Sequence, residues 1–247
     1  MTRVKQLYTL TLGELQRLHK YGVTTVALLV ALMWFGLLFF IDDVDLLSSF
    51  LPMIILIDAT MMAVIYIGAV MFFEKTEKTI STMLVTPVRK SDLIISKVIA
   101  NTISQSISTL LVVILFVWLK GVEVSWFFML LAIIISIVSH SLLGFLFSYY
   151  SKDFTTMLVN LMTYIFLLAM PVFLYEFEIV LKGPIFEYIL MFTPIQWALH
   201  LIAAGFNGAL NLAFYVSLVM MLLFTIFGYK YVIYPKFKTY AVRESGV

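Results

Sequence analysis

Along this chain, apolar residues come in long unbroken runs, and the charged residues are confined to the short stretches between them. Six runs are long enough to cross a bilayer, which takes about 20 apolar residues: Val23–Ile41, Phe50–Phe73, Val98–Leu119, Trp126–Phe147, Phe154–Tyr175 and Leu210–Tyr231. Residues 1–22 follow another rule. Val4, Leu7, Tyr8, Leu15 and Leu18 recur at helical spacing among basic residues, which predicts an amphipathic helix lying on the membrane surface. A third pattern occupies residues 176–208, where apolar stretches are broken by Gly183-Pro184, Pro194 and Gly205. Neither fragment spans alone, so the reading is two short re-entrant or interfacial helices, Ile185–Phe192 and Ile195–Ala204. The expected fold is therefore an all-α integral membrane protein, residues 1–247 forming one transmembrane domain with six transmembrane helices.

Composition agrees. Hydrophobic residues make up 63% and charged residues 12%, against about 45–50% and about 25% in soluble domains. Charge placement sets the orientation. With the N-terminus inside, every Lys and Arg except Lys120 and Lys182 falls in an inner segment. The outer loops hold Asp42, Asp43, Asp45, Glu123, Glu176, Glu178 and Glu187. The positive-inside rule then places both termini in the cytoplasm of a multi-pass plasma-membrane protein. The first run is no signal peptide, because its charged leader and apolar core are both too long. Cysteine is absent, so there is no disulfide or thiolate chemistry. No phosphate-binding glycine loop, no G-x-S-x-G or H-E-x-x-H pattern and no basic, aromatic-interleaved surface is present, which argues against a nucleotide engine, an intramembrane hydrolase or a nucleic-acid partner in this chain. His19 and His200 stand alone, and no His/Glu cluster has metal spacing.

The most informative polar stretch is residues 74–92, a charged and partly amphipathic island between the second and third runs. Ile80, Met83, Leu84 and Pro87 fall on one side at i, i+3, i+4 and i+7, with Ser81, Thr82 and the charges on the other. Thr86-Pro87 ends the helix, since the residue before proline disfavours α geometry, and Ser91-Asp92 offers a cap for the next one. This segment resembles the cytoplasmic loop of type-2 ABC transporter permeases. There an acidic-basic run leads into Thr-Leu-x-x-Leu-Leu-x-Thr-Pro, and a lysine opens the third span. Thr79, Leu84, Thr86, Pro87 and Lys97 match those positions, and Lys78 stands where the family often has glycine. Thr193-Pro194-Ile195-Gln196-Trp197-Ala198-Leu199 is similar to a second family motif before the last span, although Ala203 stands where a basic residue is common.

The resemblance implies an exporter permease. It would pair with a second permease, the same or a related chain, and with two ATPase subunits that hold ATP and Mg; no cofactor is implied in this chain. Glu77, Thr79, Ile80, Met83, Leu84, Thr86 and Pro87 would then form the coupling helix that sits in the ATPase, from about Glu77 to Val85. Hydrophobic or amphipathic cargo is expected: a drug, lipid, lipid-linked glycan or peptide. The rival reading is a proton-coupled carrier or intramembrane enzyme working without ATP.

Polar residues inside the spans complete the candidates. Asn101, Ser104, Gln105 and Ser108 share one face of the third span with Lys97, either as a wall of the substrate path or as a polar seam between helices. Asp58 is the acidic residue within an apolar run, about 12 Å below the outer end of its span. A proton relay would want it beside His140, but their depths differ by about 9 Å, which favours a hydrogen-bonded structural or path role. Pro171 and the aromatics Tyr164, Phe166, Phe173 and Tyr175 are a further candidate path lining, although aromatics at this spacing are more commonly packing. The orientation is directly testable. Cysteine placed at Asp45 or Glu178 should react with an impermeant thiol reagent added outside, whereas cysteine at Lys90 or Lys236 should not. Outside labelling at Lys90 would overturn the six-span arrangement.

Overall fold

The computed structural model describes residues 2–41, 44–84, 86–180, 183–207 and 210–245, with the side chains of 38, 44–49, 80, 81, 84, 207, 238 and 241–245 left undescribed. Among these residues the chain is helical, with no strand. In order the helices are α1 (Arg3–Lys20), α2 (Val23–Phe39), α3 (Val44–Thr76), α4 (Thr79–Leu84), α5 (Lys90–Lys120), α6 (Trp126–Tyr150), α7 (Phe154–Tyr164), α8 (Met170–Glu176), α9 (Pro184–Leu190), α10 (Pro194–Asn207), α11 (Leu212–Phe227) and α12 (Tyr234–Ser245). Asp42 and Asp43, expected in the first outer loop, Val85 of the coupling segment and Lys182 lie outside the described residues.

Among the described residues, five helices are long and apolar enough to cross a membrane: Phe50–Thr76, Lys90–Lys120, Trp126–Tyr150, Phe154–Glu176 and Leu212–Phe237. Two bent pairs meet the same test jointly, α1 with α2 at 63° and α9 with α10 at 101°. The first bend falls at Gly22, whose φ of 75° lies in the left-handed region that a side chain disfavours. α2 has 17 residues, about 26 Å of helix, slightly under the hydrocarbon thickness. The fold is thus an all-α membrane protein with five to seven candidate spans.

Two joints that the apolar pattern alone did not reveal share one cause. The fifth apolar run continues from α7 to α8 through a π-helical turn, Ile165–Ala169, just before Pro171. The last helix continues from α11 to α12 through another, Gly228–Ile233, just before Pro235. Proline lacks an N–H and its ring collides with the carbonyl four residues back, so a locally wider turn lets the helix pass. The last helix therefore extends well beyond Tyr231, where its apolar run stops, and α12 folds against α4.

α3, α5, α6 and α10 form the packed centre, with α2, α11 and α7–α8 outside it. Close crossings are made possible by small residues. A Cβ on Gly144 of α6 would lie 2.8 Å from the Val64 carbonyl oxygen of α3, and one on Gly205 of α10 would lie 2.8 Å from the Met129 side chain of α6. Helices in a bilayer gain nothing from hiding apolar surface from lipid, so this backbone proximity is a main source of their attraction. α10 is buried against α6, α11 and α3. Its first turn is fixed by Thr193, whose hydroxyl accepts from Gln196 N at 3.2 Å, and by Trp197, whose indole N–H donates to Met191 O at 2.6 Å.

α1 is amphipathic in a different sense from the one its spacing suggested. Thr11, Glu14 and Leu18 form its buried stripe against α5, while Val4, Tyr8 and Leu12 are exposed. The exposed apolar stripe at i, i+4 and i+8 is the side left for lipid.

Candidate functional site at the basic end of the bundle

The end of the bundle that carries α1, α4 and α12 is built around charges inside helical interfaces. Lys97 opens the apolar part of α5 and is 3% exposed. Its ammonium donates to Glu14 Oε1 of α1 at 2.9 Å and to Glu74 Oε1 of α3. Both carboxylates are buried. Arg17, one turn from Glu14, donates from Nη1 to Glu14 Oε1 at 3.1 Å and to Glu74 Oε1 at 2.8 Å. The four groups thus form a closed ring of alternating sign with no net charge, joining α1, α3 and α5. Burial opposes the Arg17 charge, but Glu14 and Glu74 hold its pKa above the ordinary value. Desolvating such charges is expensive, and only complete mutual pairing offsets that cost.

The same arginine reaches α4, in the segment where coupling to an ATPase is expected. Its Nη1 lies 3.6 Å from Met83 Sδ of α4. Met83 also packs on the apolar cluster that contains Phe237 and Tyr240 of α12 and Tyr149 of α6. Met83, expected in the contact with the ATPase, is half-buried, with the half-buried Arg17 and the aromatic cluster on its bundle side. Among the described side chains of residues 77–87, Glu77, Lys78, Thr82, Thr86 and Pro87 are exposed. The side chains of Ile80, Ser81 and Leu84 lie outside the described residues.

Further bonds tie α1 and α3 to this segment. Glu77 accepts from the Tyr21 hydroxyl at 2.7 Å and lies 3.7 Å from the Lys20 ammonium. Thr79 donates to Glu74 O at 3.3 Å, Thr86 donates to Met83 O at 2.6 Å, and Gln6 Nε2 reaches Pro87 O at 3.5 Å. The turn between α3 and α4 passes through Lys78 with φ 55°, in the left-handed region. Glycine adopts that geometry without steric cost, which accounts physically for glycine being common there in the resembling family. Ser91-Asp92 does not cap α5. The N-cap is Arg89, without a side-chain bond, and Asp92 in the first turn accepts from Arg3 Nη2 at 2.9 Å instead. A carboxylate at that position also suits the helix dipole.

Deeper in the bundle the polar face of α5 meets protein. Asn101 Nδ2 donates to Ala63 O of α3 at 3.1 Å and to Ser141 Oγ of α6 at 2.8 Å. Ser108 donates to Ala27 O of α2 at 3.3 Å. Ser104 is half-buried. Asp58 Oδ2 accepts from Thr109 at 2.6 Å and from Gln105 Nε2 at 3.1 Å, while the same amide donates to Asp58 O at 2.9 Å. His140 is held elsewhere, by Ser136 O at 2.9 Å and the Tyr164 hydroxyl at 3.2 Å. Asp58 and His140 thus have separate partners. Tyr164 is buried, whereas Phe166 is exposed, and Phe173 and Tyr175 are half-buried. His200, solitary in sequence, bonds Gln196 at 3.0 Å and Ser217 at 3.0 Å, and Gln196 Nε2 also donates to Glu176 at 3.0 Å.

Five to seven candidate spans with a short helix between two of the long ones fit a membrane transport subunit. The sequence profile of the ABC-2 type transporter family matches residues 5–207. The chain belongs to that family. It is a transport membrane subunit, a permease of an ABC transporter. The match takes in α1 through α10, including the charge ring and the coupling segment, and leaves α11 and α12 beyond it. No curated protein matches the chain.

Glu14, Arg17 and Glu74 were missed as a site by sequence reasoning. The signal was present: Glu14 shares the helical face of Thr11 and Leu18, and a carboxylate on a buried face requires a partner. Removing one member of the ring should be far worse than removing a surface pair. Lys97→Met leaves two carboxylates against one arginine and should destabilise the permease by about 3–5 kcal/mol. Lys20→Met, at the exposed 3.7 Å pair with Glu77, should cost less than about 1 kcal/mol. Denaturant titration in detergent micelles measures both, and equal costs would refute the ring's structural role.

Proposed function

We propose that this permease exports a hydrophobic or amphipathic cargo, a drug, lipid, lipid-linked glycan or peptide, using ATP that Mg-dependent ATPase subunits hydrolyse. Two such subunits and a second permease, the same chain or a relative, complete the transporter. In this reading the basic end faces the cytoplasm of a plasma-membrane protein, since it carries all the basic residues except Lys120 and Lys182. Six spans follow if α2 counts as the first. α1 then lies on the inner surface, and the bent pair α9–α10 re-enters from the outer side.

One observation carries the proposal: α4 stands at the basic end between the long helices α3 and α5, braced by α12 and by Arg17 of α1. A six-residue helix has too few internal bonds to persist alone in water. Held by its neighbours, it can transmit force. ATPase closure would push on the exposed edge formed by Thr82, Thr86 and Pro87, with Ile80 and Leu84 contributing to the contact by their spacing. Glu77 and Thr79 would hold the segment to α1 and α3. Asp58, Asn101, Ser104, Gln105 and Ser108 would form the polar seam along which α5 moves against its neighbours, since the bonds of Asp58, Asn101 and Gln105 join α5 to α3 and α6, and that of Ser108 joins it to α2. The ligands involved need only bind the inward and outward states with different affinity.

Thr82→Trp adds bulk to the exposed edge without touching the spans. Retention of the ATPase subunit on the purified permease should fall about tenfold, equivalent to about 1.4 kcal/mol. Thr163→Trp, exposed on α7, should leave retention unchanged. Co-purification and ATP hydrolysis in proteoliposomes provide the measurement. Normal retention in Thr82→Trp removes the proposed contact.

A further inference from the structure

A cavity of about 440 Å³ opens at the basic end between the last turns of α3 and the linker from α6 to α7. Its apolar side is aromatic. Phe72 and Phe154 meet edge to face with centroids 6.1 Å apart, and Phe73 is exposed beside them. Its polar rim holds Lys75, Lys152 and Asp153. Lys75 Nζ lies 3.4 Å from Lys152 O, so the α3 ammonium is drawn to the linker. Asp153 is the N-cap of α7, and its carboxylate accepts from Thr156 N at 2.7 Å and Thr156 Oγ1 at 2.9 Å. Those bonds, and after them the charges of Lys152 and Lys75, hold it below the usual carboxylate range. It is therefore ionised at neutral pH. Two ammonium groups against one carboxylate leave one net positive charge on the rim.

Position completes the chemistry. Phe72 and Phe73 belong to the membrane-crossing stretch Phe50–Thr76, so the cavity straddles the boundary between acyl chains and headgroups. An aromatic wall on the hydrocarbon side and a rim of one net positive charge on the water side match an amphiphile with one negative charge. Basic pockets between membrane helices at this depth suit anionic headgroups. We propose that this cavity binds an anionic glycerophospholipid of the surrounding bilayer. Its phosphodiester sits between Lys75 and Lys152, and an acyl chain lies along Phe72, Phe73 and Phe154. This site is separate from the coupling contact and independent of the identity of the cargo.

The test reconstitutes the full chain in phosphatidylcholine nanodiscs with and without phosphatidylglycerol. Lipid retained on release is counted by native mass spectrometry, and the thermal unfolding midpoint is recorded alongside. The wild type should keep phosphatidylglycerol in preference to phosphatidylcholine and melt higher in its presence. The Lys75→Gln/Lys152→Gln variant should lose that preference by about tenfold or more. Lys152→Gln alone, in the exposed linker, should lose part of it without endangering the fold, and Lys5→Gln on exposed α1 should keep it in full. Four results would each overturn the proposal. They are no preference in the wild type, an undiminished preference in both lysine variants, an equal rise in melting from inorganic phosphate alone, and loss of ATPase retention in the variants with lipid retention unchanged.

Discussion

A lysine ammonium buried among helices must be neutralised where it stands, and the basic end of this permease is arranged around that requirement. Lys97 is held by Glu14 of α1 and Glu74 of α3, and Arg17 closes the ring on both carboxylates. None of the four can leave without stranding another charge at low dielectric. The ring therefore fixes the docking of α1 more firmly than its apolar stripe could, since Val4, Tyr8 and Leu12 of that helix face outward. Arg3 with Asp92 makes a second tie between α1 and α5 near the start of both helices.

This arrangement gives the short helix α4 its stiffness. It follows α3 by a two-residue turn through a left-handed Lys78. Arg17 touches it from α1, and the aromatic cluster of Tyr149, Phe237 and Tyr240 supports it from α6 and α12. Under the proposed coupling, a push on its exposed edge would be delivered to α1, α3, α5 and the last helix together rather than to one loop. The polar bonds of α5 to α2, α3 and α6 lie further along the same path. They are specific enough to define a resting state, and single hydrogen bonds of this kind in membranes are weak enough to exchange.

Much of the fold was legible because a bilayer imposes a simple rule on sequence. Runs such as Trp126–Phe147 had to be helices, and α6 begins at the residue where its run begins. Thr86-Pro87 marked the end of α4 by backbone sterics alone. Ser91-Asp92 misled, because a residue suited to capping was claimed by a distant arginine, Arg3, that sequence spacing cannot bring near. α12 was hidden by Pro235, which reads as a helix end unless a widened turn precedes it. In the site, Lys97 and the polar face of α5 were visible from helical spacing, since each residue there needs a partner. Their partners were not: Glu14 and Glu74 are separated from Lys97 by 83 and 23 residues, and local patterns do not report such distances. Met83 shows the same limit. Its spacing grouped it with Ile80 and Leu84, while the arginine 3.6 Å from its sulfur lies 66 residues away in the chain.

If the proposed coupling holds, α1 and the segment around α4 move as one mechanical body. The most direct measurement uses the chain's lack of cysteine. Tyr21, at the end of α1, and Glu77 meet at 2.7 Å across the two elements, so a Tyr21→Cys/Glu77→Cys pair, placed away from the exposed edge proposed for the ATPase, can be joined by a short bis-thiol reagent in native membranes. The account predicts rapid cross-linking, with ATP hydrolysis and transport by the assembled complex unchanged once the link is made, because the two elements move together. A pair that fails to link, or a link that stops transport while the ATPase stays bound, would show that α1 and the coupling segment move apart and would contradict the account.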